Sequence, residues 1–335
     1  MTDHEIFELG DFTLGGTTLP GARLAYRTYG ALAADKSNAI LFPTWFAGTH
    51  EANEWLIGQG EPLDTARYFV IVPSLFGNAL SSSPSNTPPP HDRARFPHAT
   101  MADNVRAQHR LVTERFGITR LALVLGASMG AGQTYQWAVS HPEMVERIAA
   151  ITGSPRTSPH NQVFLEGLRA ALTADATFAD GDYDSEPRRG LRAFARVYAG
   201  WGLSQAFYWE RLYEKMGFAT LEDFLVGVWE TNFDGWDAND LLAMMWTWEH
   251  ADVGHTPGFD GDTRAALASI TARTLSLPSQ KDLYFPPEDE QWAVRHIPGA
   301  ELHVVPGIWG HLAGGGADPG AAAFIAAAVR EHLAH

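Results

Sequence analysis

A serine framed by two glycines, Gly126-Ala-Ser-Met-Gly130, is where residue type and spacing in this chain first point to chemistry. A serine hydroxyl attacks a carbonyl only if a base takes its proton and nearby donors stabilise the oxyanion that forms. The G-x-S-x-G spacing serves the second need. Its glycines allow a strained turn in which a Cβ on either neighbour would clash, and the turn lifts the hydroxyl to a helix N-terminus with free N–H groups. Pentapeptides of this kind also occur by chance. Here the flanks agree with the function: the apolar run Leu121-Ala-Leu-Val-Leu125 precedes the turn, and Ala131 to His141 reads as a helix closed by Pro142.

The base and its orienter have to follow in the order acid, then histidine, if the turn is a nucleophile elbow. After the apolar run Thr274–Leu277 comes Pro278-Ser-Gln-Lys-Asp-Leu-Tyr-Phe285, which puts Asp282 in a loop at a strand's C-terminal end. Glu288 and Asp289 fall in the helix that follows. After Leu302–Val305 comes Pro306-Gly-Ile-Trp-Gly-His311, again a loop at a strand end. His303 lies within that strand, His296 in the helix before it, and His332 and His335 in the tail helix. His311 is therefore assigned as general base, a group that titrates near neutrality, and Asp282 as the carboxylate that fixes its tautomer. Ser128 is the nucleophile. One oxyanion donor is the N–H of Met129, the residue after the nucleophile. The other belongs to Thr44-Trp-Phe-Ala-Gly-Thr-His50, with Phe46 chosen and Trp45 its competitor.

These loops need a scaffold, and the apolar runs supply one. Asn38-Ala-Ile-Leu-Phe-Pro43, Tyr68-Phe-Val-Ile-Val-Pro73, Leu121–Leu125, Arg147-Ile-Ala-Ala-Ile-Thr-Gly153, Arg273–Leu277 and Glu301–Val305 are short, continuous and bounded by Gly or Pro. That pattern suits strands buried on both faces of a parallel sheet. Met101 to Phe116, with Val105, His109, Leu111, Val112 and Phe116 at mostly helical spacing, reads as a crossover helix, and Pro319 to His335 as a tail helix. Residues 156–265 break the rhythm: they read as helices without a convincing strand and hold six of the eleven tryptophans. The expected organisation is a core of residues 1–155 and 266–335 carrying a helical lid at 156–265.

Composition sets the outer bounds. Apolar residues make up 45% of the 335 and charged residues 19%, a globular balance with ample core. The net charge of −15 argues against nucleic acid or an anionic membrane as partner, since both call for a basic face. No cysteine is present, so disulfides, thiolate metal sites and a cysteine nucleophile are excluded. The opening MTDHEIFELGDF is acidic and poor in apolar residues, unlike a signal peptide, and no run approaches the length that spans a bilayer. A cytoplasmic enzyme acting on a small-molecule ester without metal or cofactor is the expectation.

At this level the chain resembles the homoserine O-acetyltransferase family of α/β-hydrolase-fold enzymes. The resemblance runs through Tyr26-Arg-Thr-Tyr-Gly30, Phe46-Ala-Gly48, Asp103-Asn-Val-Arg-Ala-Gln-His109, Gly126-Ala-Ser-Met-Gly-Ala-Gly-Gln133, Gly181-Asp-Tyr183, Gly190-Leu-Arg-Ala-Phe-Ala-Arg196 and Trp236-Asp-Ala-Asn-Asp-Leu241. It implies an α/β-hydrolase fold, a mostly parallel sheet with flanking helices and an inserted helical lid over a tunnel to the serine. It also implies a homodimer, since the family's lid often mediates dimerisation.

The departures bear on substrate. Family transferases carry an aspartate directly after the catalytic histidine, and the resemblance implies that it holds the homoserine amino group; here Leu312 stands there, in Gly310-His-Leu-Ala-Gly-Gly-Gly316. The family's lid arginine for the substrate carboxylate is matched by Arg196, but the tyrosine seven positions on is Leu203. With Trp45, these three form the expected substrate-binding set. The pattern is similar to the alkyl acetate hydrolase and acetyl esterase branch. A hydrolase of short acyl esters is therefore expected first, a CoA-dependent O-acyltransferase second, and a non-catalytic binding scaffold last.

Overall fold

The computed structural model describes residues 4–334. His335, included in the expected tail helix, and Met1–Asp3 of the N-terminal segment lie outside the described residues. Among the described residues eight strands form one sheet in the order β1-β2-β4-β3-β5-β6-β7-β8. They are β1 (Glu5–Leu14), β2 (Thr17–Tyr29), β3 (Ala39–Leu41), β4 (Phe69–Pro73), β5 (Leu123–Ala127), β6 (Arg147–Ile151), β7 (Arg273–Leu277) and β8 (Glu301–Leu302). β1 pairs antiparallel with β2 and β2 with β4, and all pairings from β4 to β8 are parallel.

The parallel strands are continuous apolar runs because each is covered twice. Successive side chains of a strand point to opposite faces. In β5, Val124 joins a layer with Val105, Leu111, Tyr135 and Trp137, while Leu123 and Leu125 join a layer with Ile325 and Val329 of the tail helix Pro319–Ala334. The first layer is covered by α1 (Met101–Arg110) and α2 (Met129–Ser140). Thr100 starts α1 with a reciprocal capping box to Asp103, satisfying two of the helix's orphan donors.

Two features differ from the sequence expectation. The hairpin β1–β2 was not anticipated from an acidic, weakly apolar N-terminal segment. Register shifts at Glu8/Gly10 and Gly10/Phe12 break the alternation that marks a half-buried strand. Its legible signal is the two-residue turn Gly15-Gly16, both at positive φ, which joins Leu14 to Thr17. The last strand is shorter than Glu301–Val305, although Val305 still donates to Pro278 O and bridges to Ser279.

Between β6 and β7 the chain runs through α3 (Pro159–Thr173), α4 (Arg188–Gly202), shorter turns, and the helices Ala238–Glu249 and Thr263–Ala268. Their apolar faces meet in a third cluster built on Phe164, Leu165, Phe194, Tyr198 and Trp248. The same cluster takes in Phe46 after β3, Leu75 after β4, Met129 after β5 and Tyr284 after β7. The helices thus sit over the C-terminal ends of the strands. Polar ties fix them there: Ser85 donates from N and Oγ to Asp240 at 2.9 and 2.6 Å, and Asn161 Nδ2 donates to Tyr284 O at 2.8 Å.

Candidate active site

The turn at Ser128 explains its own sequence. Ser128 takes φ 55° and ψ −124°, a sparsely populated conformation for a residue with a Cβ, at a cost of about 1–3 kcal/mol. The surroundings force it to persist. A Cβ on Gly126 would lie 2.2 Å from the carbonyl carbon and oxygen of Gly130, and one on Gly130 would lie 2.8 Å from Pro43 O. Both obstacles are backbone, so neither can step aside. Ser128 N donates to Ile151 O at 2.9 Å, which pins the turn to the end of β6. The hydroxyl is left at the start of α2, beside the Met129 N–H.

The loop after β3 is clamped against this turn. Gln133 on α2 donates to Thr44 O at 2.9 Å, accepts from Gln108 of α1, and Gln108 in turn accepts from Trp137 at 2.8 Å. Thr44 N is spent on Pro73 O, and Gly48 N closes a tight turn onto Trp45 O. Among the described residues the N–H groups of Phe46 and Met129 meet no acceptor. The Phe46 ring stacks on Tyr198 at 5.9 Å and lies 5.8 Å from Trp248, so the helices above hold this loop by its side chain.

Asp282 and His311 come from separate loops after β7 and β8 and meet in a buried pair, with Nδ1 to Oδ2 at 2.7 Å. The carboxylate can only accept, so Nδ1 carries the proton and Nε2 is left with its lone pair. Asp282 Oδ1 is held by the N–H groups of Tyr284 at 3.1 Å and Phe285 at 3.0 Å. Gly310 at φ 62° lets the His311 loop pass under the helices, where a Cβ would lie 2.8 Å from Ser204 N. Ser204 Oγ donates to Ile308 O at 2.5 Å.

Trp45, Phe46, Ser128, His311 and Leu312 line one cavity of about 310 Å³. No hydrogen bond joins Ser128 to His311 among the described residues, so the expected line is closed from His311 to Asp282 and open at the serine. Such bonds commonly shorten only once substrate is bound. Neither His50 nor His109 lines the cavity, and His109 stacks on His141 at 4.2 Å.

The structure places two of the expected substrate contacts, Arg196 and Leu203, outside the cavity lining. Arg196 does not line the cavity: its Nε is 2.6 Å from Glu230 Oε1 and its Nη1 3.0 Å from Glu222 Oε2. Positions two apart on a helix point to nearly opposite sides, so α4 turns Arg196 outward and Tyr198 inward. Leu203 is also absent from the lining; it ends α4 in the apolar cluster, with its backbone against the His311 loop. Tyr198, Trp229, Phe233 and Tyr284 line the cavity without having been singled out from sequence. Tyr284 sits two residues after the assigned acid, and that proximity was its one available signal.

A sequence profile for the α/β-hydrolase fold matches residues 39–314. The chain belongs to the α/β-hydrolase family. Within that family it is 41% identical over 318 residues to an ethyl acetate hydrolase of Pseudomonas veronii, covering 94% of this chain and 90% of that one. It is 31% identical over 317 residues to a homoserine O-acetyltransferase of Chlorobaculum tepidum, covering 89% and 86%. The structure of the acetyl esterase MekB superposes with a TM-score of 0.97 at 39% identity, covering 99% of this chain and 97% of that one. The α/β-hydrolase resemblance and its acetate-ester branch are thus borne out at the level of family. Among the described residues of this α/β-hydrolase no helix is long and apolar enough to cross a membrane.

Proposed function

We propose that this chain hydrolyses short-chain carboxylic esters, acetates above all, through an acyl-enzyme on Ser128. The observation that carries this reading is the buried 2.7 Å contact that fixes the His311 imidazole in the same cavity as the elbow serine. His311 Nε2 takes the Ser128 proton as Oγ attacks the ester carbonyl, and Asp282 stabilises the imidazolium. The carbonyl oxygen gains negative charge against the N–H groups of Met129 and Phe46. On collapse the alcohol departs with the proton from Nε2, and water then releases the acid. Residues 156–265 act as a lid that makes the cavity's upper wall. Trp209, 85% exposed on this segment, supports a homodimer built on the lid, a reading that light scattering tests.

Transfer to homoserine is the competing reading, supported by the 31% identical relative. It is disfavoured by the walls. A homoserine site has to satisfy an ammonium and a carboxylate in a closed space, since leaving either charge buried and unpaired is costly. Leu312 offers an isobutyl group, and the guanidinium of Arg196 is engaged by two glutamates outside the cavity. Purified protein offered ethyl acetate and p-nitrophenyl acetate, and acetyl-CoA with and without homoserine, separates the two. Ester hydrolysis falling with acyl length, and CoA release indifferent to homoserine, are expected. Saturable stimulation of CoA release by homoserine would replace the hydrolase with a transferase.

A further inference from the structure

An acetylated Ser128 can be resolved by water or by an alcohol, and most of the wall around it is apolar: Trp45, Phe46, Trp229, Phe233 and Leu312. Water is held in such a chamber only where polar groups seat it. Tyr284 is one such group. Its ring centroid lies 4.3 Å from that of His311, the residue is fully buried, and its hydroxyl faces that of Tyr198 without a hydrogen bond of good geometry to it or to any other group among the described residues. Leaving a buried hydroxyl without a well-formed bond is costly, so this pair of phenols has capacity for a third partner beside His311. Tyr198 faces it from α4, with ring centroids 6.3 Å apart at 81°, and also lines the cavity. Burial pushes both phenols above the usual range, so both remain neutral donors at physiological pH. Thr152 Oγ1, a further buried hydroxyl of the lining with no partner among the described residues, is crowded by the Gly314 backbone: a Cβ on Gly314 would lie 2.1 Å from it.

We infer that Tyr198 and Tyr284 are positioning residues that seat the deacylating water and bias the acyl-enzyme toward hydrolysis over transfer. The inference rests on the acyl-enzyme reading above. Water has two protons and two lone pairs, and the site uses all four. One proton faces His311 Nε2 and the other a phenol oxygen; one lone pair accepts from the second phenol, and the last attacks the acyl carbon. As that bond forms, the proton passes to Nε2 and the carbonyl π pair moves to its oxygen. Collapse restores the carbonyl and breaks the bond to Ser128 Oγ, which recovers the proton from Nε2 as the carboxylic acid leaves. An alcohol carries carbon where water carries its second proton, so it forfeits one phenol contact.

The test follows acetyl-Ser128 by rapid mixing with p-nitrophenyl acetate and by intact mass. Ethanol is added to measure the ratio of ethyl acetate to acetate formed. Tyr284→Phe should slow deacylation about tenfold, the loss of roughly one hydrogen bond, and raise the ethanol-to-water ratio by a similar factor. Tyr198→Phe should move both readouts in the same direction. A purely structural role would slow both resolving reactions together and leave the ratio alone. An unchanged ratio in both variants overturns the inference while leaving the acyl-enzyme intact. Absence of any acetyl-Ser128 in the wild type overturns the acyl-enzyme reading and this inference with it.

Discussion

The two halves of the cavity are held by different kinds of contact. Below, at the strand ends, the constraints are backbone against backbone: Gly126 against Gly130, Gly130 against Pro43, and Gly310 against Ser204. Above, in the helical insertion, they are rings against rings: Tyr198 on Phe46, Phe164 on Tyr284 at 4.9 Å, and Trp248 on Phe285 at 5.6 Å. Backbone contacts cannot be repacked without moving a strand, whereas aromatic side chains can exchange volume with their neighbours. The lower half therefore fixes where Ser128 and His311 sit. The upper half and the His311 loop are free to set what fits, which is how one elbow can serve both esterases and acyltransferases.

The comparison is sharpest at the serine. Ser128→Ala should fold as the wild type does, because the hydroxyl is no part of the packing, and should lose about 10⁴–10⁶ in kcat. Turnover of p-nitrophenyl acetate together with a thermal melt checks both halves of that statement. Substantial activity in a well-folded Ser128→Ala would sink the mechanism.

A matched pair of glycines separates the two regions next. Gly130→Ala places a methyl 2.8 Å from Pro43 O, so the loop carrying Phe46 has to shift. A loss of order 10²-fold in kcat/KM is expected, since a displacement of about 1 Å at reacting groups carries that much. Gly200 lies within α4, and nothing lies within 4 Å of a Cβ placed there. Gly200→Ala should stabilise the fold by about 0.5–1 kcal/mol with activity unchanged, because the helix loses a flexible residue and nothing is crowded. Urea midpoints and acetate ester kinetics on both variants decide whether the rigid half is the lower one.

Leu312 tests the wall between them. Leu312→Asp puts a carboxylate into the lining of a largely apolar cavity, and kcat/KM for ethyl acetate should fall about tenfold or more. Homoserine should still not be accepted, because Arg196 remains engaged outside the cavity. Acceptance of homoserine by this single variant would show that the upper wall contributes little to the choice of alcohol.

The attachment of the insertion is expected to depend on pH. Burial pushes the Asp240 carboxyl, which ties the helix Ala238–Glu249 to Ser85, up to about 7, against 3.8 when free. Its folded pKa is raised, so the folded state keeps a proton that the unfolded chain has already lost. Its contribution is fully present below about 3.8 and is lost as pH rises through about 7. Cleavage within 156–265 in limited proteolysis should increase between pH 5 and pH 8 in the wild type and change less in Asp240→Asn. Glu290 provides the core counterpart. It is also raised to about 7 by burial, and it accepts from Tyr135 and Ser276 beneath the sheet. Glu290→Gln should flatten the pH dependence of the global urea midpoint and leave the proteolysis pattern of the insertion alone.

The same division governs what could be read from residues. Short buried strands and a glycine-framed serine are local patterns with strict backbone causes, so the six parallel strands and the residues Ser128, Asp282 and His311 could be located by order alone. The antiparallel hairpin escaped because its bulges destroy the period-two signal. Tyr198 escaped because an aromatic residue in an amphipathic helix reads as core, and only the rotation of α4 decides which residues face the cavity. The outward position of Arg196 was hidden for the complementary reason: its type matched a binding role, but nothing in the sequence states which side of α4 meets the strand ends.

That placement supplies the smallest expected effect. If Arg196 held a substrate carboxylate, its removal would raise KM strongly. The structure instead gives it two glutamate partners, with a side chain 40% exposed and Glu222 itself 65% exposed. Exposed ion pairs exchange solvation for a screened attraction and are each worth about 1 kcal/mol or less. Glu230 is the more enclosed partner, at 12% exposure, and it also faces Arg192 at 3.5 Å, so it keeps a cation when Arg196 is lost. Arg196→Ala should therefore leave kcat/KM for acetate esters within about twofold of the wild type and lower stability by at most about 1 kcal/mol. A rise in KM of tenfold or more with an unchanged melt would return Arg196 to the substrate site, and the outward face of α4 would have to be drawn differently.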